Sequence, residues 1–492
     1  MKKTITTLIV LLSSFNIFSQ DIPGIKEISL DNLKATVAEL ASDKYDGRLP
    51  ASKGYFKAAD YIEDQIKTIG LKPLLKKTYF QNVPVEYNLI KGTPEFSILM
   101  PLKNAKPIVY QLGKDFVCRS MTGSGNITAN IVFCGYGISK PEWGYDDYAS
   151  IDVKGKIVLM FKQNPSWNTE KSNNWEKLYP RYKANVAASK GALGVIFISK
   201  PLDKNPQKPI GSIMESDEDQ STAVPQIHAD LSLVANMLYP RSYSVSYLQA
   251  KIDSTKTPYS FAVGTTATIK VKAEYKKQKN SPNIICYLEG NDPVLKNEYI
   301  ILGAHLDHVG RQGENFYFPG ANDNASGCAA ILEIARCLKK AGTKRSVVFI
   351  FFTNEESGLH GSKYFVEHSP LPFEKITAML NFDCVGYGDS IQVGGGKSNM
   401  ELWSLPRNAD KSINDVMTNS TWSGGGSDAT PYFEKNIPTL YFVSKYSYAH
   451  LHLASDTYET LNYKLFQKIT RLGYYTAYKV ANGEYVKERV VK

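Results

Sequence analysis

His305 and Asp307 stand two residues apart just past an apolar run, Tyr299 to Gly303, so on an extended chain they point to the same side. Asp323 precedes an amphipathic run, Ala329 to Leu338, that stops at Gly342; an N-cap belongs there. The run Ser346 to Thr353 empties into Asn354, Glu355 and Glu356, and Thr377 to Phe382 leads into Asp383. A further run, Thr439 to Val443, precedes a loop holding His450, His452 and Asp456. A lone histidine is usually a structural residue; recurrence at one type of strand end points instead to a metal centre. Two imidazoles (His305, His452) and three carboxylates (Asp323, Glu356, Asp383) suit Zn²⁺ ahead of Mn²⁺ or Co²⁺. Five side chains exceed one open catalytic site and fit two ions about 3.5–4 Å apart that share a carboxylate.

The runs that carry these residues are continuously apolar, as strands of a parallel sheet covered on both faces must be. Open α/β sheets hold ligands at such strand ends. The expected fold is therefore α/β: a mixed, mostly parallel sheet with helices on both faces, built from residues 21–112 and 265–492. A chain of 492 residues exceeds a single core, and a β-rich α/β domain is expected as an insertion over 113–264. Leu33, Val37 and Leu40 mark an early helix; Ala58, Ile62, Ile66 and Ile69 mark a second, stopped by Gly70. Short strands are expected at Ile131–Ile138, Gly155–Phe161 and Gly191–Ile198, and an exposed loop over 200–225.

The net charge of +10 is spread along the chain, with no basic cluster interleaved with aromatics, so nucleic acid is not an expected partner. Residues 1–20 read as a signal peptide: Lys2 and Lys3, an apolar stretch to Phe18, and Ser19 before the cut. Export to the periplasm or beyond is expected, with no membrane span. Cys328 and Cys337, about 13 Å apart along one helix, cannot bridge; of the six cysteines only Cys118 and Cys134 merit consideration as a pair.

The motifs Ala304-His-Leu-Asp-His308, Gly320-Ala-Asn-Asp-Asn-Ala-Ser-Gly327, Asn354-Glu-Glu-Ser-Gly-Leu-His-Gly-Ser362, Leu380-Asn-Phe-Asp383 and His452-Leu-Ala-Ser-Asp-Thr457 resemble those of the co-catalytic di-zinc aminopeptidases. That group includes aminopeptidase Y, glutamate carboxypeptidase and the transferrin-receptor ectodomain. Gly135-Tyr-Gly and Val153-Lys-Gly-Lys-Ile-Val-Leu resemble the protease-associated domain inserted in many of them. The resemblance implies two Zn²⁺ per chain, bridged by Asp323, with His305 and Asp383 on one and Glu356 and His452 on the other. Glu355 would be the general base and Asp307 would orient His305. His308 and His450 receive no role beyond structure or rim, and His360 none.

One segment departs from the family: Gly424-Gly-Gly-Ser-Asp428-Ala429 carries Ala429 where histidine is common, so Asp428 is a weaker candidate for substrate contact. Tyr446, Tyr448, Tyr432 and Phe433 are candidate pocket aromatics. The implied reaction is hydrolysis of the peptide bond after a free N-terminal residue by a hydroxide held between the ions. A carboxypeptidase or dipeptidase, a glutaminyl cyclase and a non-catalytic binding protein are the alternatives. Oligomeric state is not legible.

Overall fold

The computed structural model describes residues 22–492 except 120, 172–174, 176–177, 215–219, 221, 223 and 489. The expected signal peptide falls outside them. No helix among the described residues is long and apolar enough to cross a membrane.

The principal strands are β1 (Phe80–Leu99), β2 (Phe116–Cys118), β3 (Gly125–Cys134), β4 (Ile157–Phe161), β5 (Gly194–Ile198), β6 (Gln226–Ala229), β7 (Ser260–Leu288), β8 (Tyr299–His305), β9 (Ser346–Phe352), β10 (Ile376–Phe382), β11 (Ile391–Gly394) and β12 (Thr439–Ser444). They belong to one sheet in the order β11-β12-β10-β8-β9-β7-β3-β4-β5-β6-β2, with β1 along β7. β12, β10, β8 and β9 run parallel, as their apolar composition requires; β11 and β7 flank them antiparallel. The architecture is the expected mixed, mostly parallel sheet.

Alternation along each strand decides which helices cover which face. Ile300, Leu302 and Ala304 face one core with helices α1 (Leu30–Leu40), α2 (Lys53–Ile69), α4 (Gly327–Ala341) and α5 (Tyr463–Ala481). Ile301, Val348 and Ile350 face the opposite core, with Phe365 and Tyr432. Gly70 closes α2 at φ 78°, a conformation that a side chain would strain.

Strand β7 joins the two halves of the molecule. Its start pairs with β3 (Ser260 to Val271) and its end with β9 (Ile284 to Leu288). Around β3–β6 a separate core forms, with helix α3 (Pro180–Ser189) over Val158, Met160, Val195 and Phe197. Cys118 and Cys134 are not bridged; all six cysteines are buried free thiols.

Candidate metal centre

Strand β8 delivers His305 to the C-terminal edge of the sheet, between β9 and β10, and the loops after those strands bring Glu355, Glu356 and Asp383 beside it. His452 comes from the loop after β12. Asp323 differs from expectation. It lies inside a wide turn, Ala321–Ser326, at φ −110° and ψ 94°, and α4 begins only at Gly327 with Ser326 as N-cap. Asn324 instead receives the Gly327 N–H (2.8 Å). Freed from capping, the Asp323 carboxylate faces the histidines.

The donor atoms fall into adjoining groups. His305 Nε2 lies 3.3 Å from both Asp323 Oδ1 and Asp383 Oδ1, and His452 Nε2 lies 3.2 Å from Asp323 Oδ2. Two tetrahedral donors each bound to one zinc ion at 2.0–2.1 Å are separated by about 3.3 Å, so these spacings fit zinc. Asp323 Oδ2 is buried without a hydrogen-bond donor, as a metal-ligating oxygen would be. His308, Asp323, Glu356 and His452 offer one cluster of donors, and His305, Glu355 and Asp383 another, each with its donor atoms within 4.8 Å.

The supports are specific. Asp307 accepts the Glu355 and Glu356 backbone N–H groups (3.1 and 3.3 Å) and lies 3.7 Å from His305 Nδ1, so it ties β8 to the glutamate loop. Burial raises its carboxyl to about 7. Asp456 accepts the N–H groups of Asn322 (2.9 Å) and Asp323 (3.0 Å) and sets the turn. Glu355 is pushed well above the usual carboxylate range by burial, despite His305, while Ser427 Oγ donates to its Oε1 at 3.0 Å. Burial alone would pull His305 and His452 down, but surrounding carboxylates, Glu355 for the first and Glu356 for the second, hold both imidazoles well above their ordinary value. Glu355 and His452 keep 16% side-chain exposure where the other donors keep 9% or less, so access is from their side.

Four residues enter the site without having been assigned a part in it from sequence. His308, expected as structural or rim, is fully buried with Nδ1 2.7 Å from Glu356 Oε1. Tyr441 donates to Asp383 Oδ2 (3.2 Å) and meets Tyr448 Oη at 3.2 Å. Arg48 is buried whole, and its guanidinium donates to the carbonyls of Leu306, Leu40, Pro319 and Gly320, bracing the loops of His305 and Asp323. Gly211, from the inserted part, exchanges hydrogen bonds with His452: its N–H to the His452 carbonyl (3.0 Å), and His452 Nδ1–H to its own carbonyl (3.1 Å). The motif His305-Leu-Asp-His308 was a usable signal for His308; nothing local marked Tyr441 or Gly211.

Other candidates fall elsewhere. Asp428 is fully buried, with its carboxyl raised to about 7 by burial. Tyr432 packs in the core against Phe352 and Phe365, which removes it from any pocket lining. Tyr446 is 65% exposed beside Lys445. His450 pairs with Ser455 (2.8 Å) away from the donor clusters.

Fold and donor set together define an α/β protein with a zinc-exopeptidase-like fold and a cluster of candidate metal ligands at the sheet edge. Residues 283–477 match peptidase family M28 and residues 107–235 match the PA domain. An aminopeptidase of Pseudomonas aeruginosa is 28% identical over 73% of this chain and 58% of its own length, so the chain spans little more than half of that relative. The solved aminopeptidase of Aneurinibacillus sp. strain AM-1 superposes with TM-score 0.64 at 24% identity, covering 95% of this chain and 98% of the other. A zinc aminopeptidase from Bacillus subtilis gives 0.63 at 20%, with 96% and 99% covered. Peptidase family M28 is thus what residues 283–477 resemble, with a PA-domain segment ahead of them at 107–235.

Proposed function

We propose that this protein is an exported zinc aminopeptidase that removes N-terminal residues from peptides. The observation that carries the reading is the placement of Asp323, whose two oxygens face different histidines, His305 at 3.3 Å and His452 at 3.2 Å. In this reading Asp323 would be shared between two zinc ions, with His305 and Asp383 holding one and Glu356 and His452 holding the other. Zinc would act as a Lewis acid on the scissile carbonyl and make a bound water acidic.

The chain's own residues supply the rest. Glu355, within 4.0 Å of His305 and held by Ser427, takes the proton of the attacking water and passes it to the departing amine. Its raised affinity for protons is the property a general base needs. Asp307 holds His305 and the glutamate loop in register. Tyr441 and Tyr448 restrain Asp383 from the other side. We divide the chain into a peptidase part, 21–112 and 265–492, and an inserted part, 113–264, with 1–20 as the export signal.

A panel of aminoacyl reporters and their N-acylated counterparts, assayed with and without a chelator, tests the reading. Cleavage confined to free amines, abolished by chelation and restored by Zn²⁺, is expected. Preferential cleavage of acylated peptides from the carboxyl end, or cyclisation of an N-terminal glutamine without cleavage, would replace it.

A further inference from the structure

At the opposite end of the sheet from the metal centre, β4, β5 and β6 run parallel and β2 closes the edge. His228 on β6 pairs with Phe197 of β5 and with Val117 of β2, and Phe197 pairs with Met160 of β4. Paired residues share a sheet face, as do residues two apart on a strand. Lys162, Ser199 and Arg119 each stand two beyond one of these positions. The ladder continues to them, with Lys162 N–H bonded to Ile198 O (2.7 Å) and Arg119 N–H to Gln226 O (3.0 Å). Arg119, Lys162 and His228 are thereby gathered on one face at the strand ends.

We propose that Arg119, Lys162 and His228 form an oxyanion-binding site in the inserted domain, taking inorganic phosphate or the C-terminal carboxylate of a bound peptide. Arg119 is 6% exposed and its Nη1 has no hydrogen-bond partner; His228 is fully buried, with Nε2 3.2 Å from Ser199 Oγ and Nδ1 unpartnered. No carboxylate among the described residues acts on any of the three. A buried guanidinium without counter-charge is costly; an anion removes that cost, meets the idle Arg119 Nη1 and favours protonation of His228, whose Nδ1–H can then donate to it. Uncompensated burial shows in the guanidinium, drawn down to about 10, and in the imidazole, held well below its usual range.

The site also connects to the metal centre. Ser199 Oγ donates to Gln207 O (2.6 Å), and Lys162 Nζ donates to Gln207 Oε1. Four residues further along, Gly211 holds His452 by two hydrogen bonds. Val117 of the same sheet edge packs with Val309 and Phe318 of the peptidase part, so this edge faces that part of the molecule. An anion bound here would order the segment that positions His452.

The test compares zinc-loaded wild-type protein with Lys162→Gln and Arg119→Met, each checked for unchanged circular dichroism and zinc content. Lys162 is partly exposed, so its variant keeps the test alive if Arg119→Met misfolds. Calorimetric titration with phosphate should reveal a site in the wild type that weakens at least about tenfold in the variants, the usual effect of losing a charge-assisted hydrogen bond. Phosphate held by the zinc ions would be common to all three proteins. The second arm, which rests on the aminopeptidase reading, compares KM for a tripeptide and its C-terminal amide. A preference of about tenfold for the free acid, lost in the variants at constant kcat, assigns the site to the peptide carboxylate. Phosphate binding without that preference assigns it to the free anion. If neither phosphate affinity nor acid-over-amide preference differs between wild type and variants, the proposal is overturned. If no peptide is cleaved at all, the aminopeptidase reading fails while the phosphate arm still decides this one.

Discussion

His308 Nδ1 lies 2.7 Å from Glu356 Oε1, while His452 Nε2 lies 2.7 Å from Oε2 of the same carboxylate. One glutamate is thus held between two imidazoles, and only one of them, His452, shows any exposure to the cleft. An N–H from His308 to Oε1 would leave Oε2 as the single oxygen turned to a metal. His308→Ala should weaken zinc in the Glu356–His452 half by about 10–100-fold, the usual effect of losing such a partner, and spare the other half. His308→Gln, which keeps a donor, should recover part of the loss. Zinc per chain under graded chelator competition measures both; equal affinities in all three proteins would assign His308 a packing role only.

Glu355 and Glu356 are neighbours to which the proposed mechanism gives different tasks. Glu355→Gln should retain full zinc while kcat falls by on the order of 10²–10⁴, the share of a general base. Glu356→Gln should lose part of the zinc, with activity partly recovered in excess Zn²⁺. Metal content measured beside kcat decides, and the reverse pattern would exchange the two roles.

Chelation should make stability depend on pH in a defined direction. Burial raises Asp307 and Asp428 to about 7 and Glu355 well above the ordinary carboxylate range, and surrounding carboxylates hold His305 and His452 up against burial. Every one of these shifts makes the folded chain bind more protons than the unfolded one between about pH 5 and 8, so stability falls as pH rises. Asp323 and Glu356 are held low by neighbouring histidines despite burial, and they titrate below this window. The thermal midpoint of chelated protein should drop from pH 5 to 8, and zinc loading should flatten the curve. A rising midpoint in the chelated protein would refute the assignment.

Gly211 couples the inserted domain to the site. A Cβ at this position would stand 2.6 Å from Val309 Cγ2 and 3.0 Å from the Phe318 ring. Gly211→Val should therefore displace the carbonyl that receives His452 Nδ1–H, lower zinc affinity several-fold and raise KM. Unchanged zinc binding in a folded variant would show that His452 does not depend on the inserted domain.

The candidate metal ligands could be read from sequence because most of them follow an apolar run long enough to be a buried parallel strand. That pattern is local, and the C-terminal edge of a parallel sheet collects whatever the strands deliver. His305, Glu356, Asp383 and His452 are brought together from such strand ends, as that pattern predicts, and the order of the motifs carried the family resemblance. What local pattern could not supply was the partner of each side chain. His308 meets Glu356 across 48 residues, Tyr441 meets Asp383 across 58, and His452 meets Gly211 across 241. Asp323 was expected to cap a helix because a carboxylate before an amphipathic run ordinarily does. The wide turn after Gly320, fixed by Asp456 from the far end of the chain, turns it to the histidines instead. Arg119, Lys162 and His228 look like scattered basic residues in sequence. Strand order alone puts them on one face, because register between distant strands is set by tertiary packing.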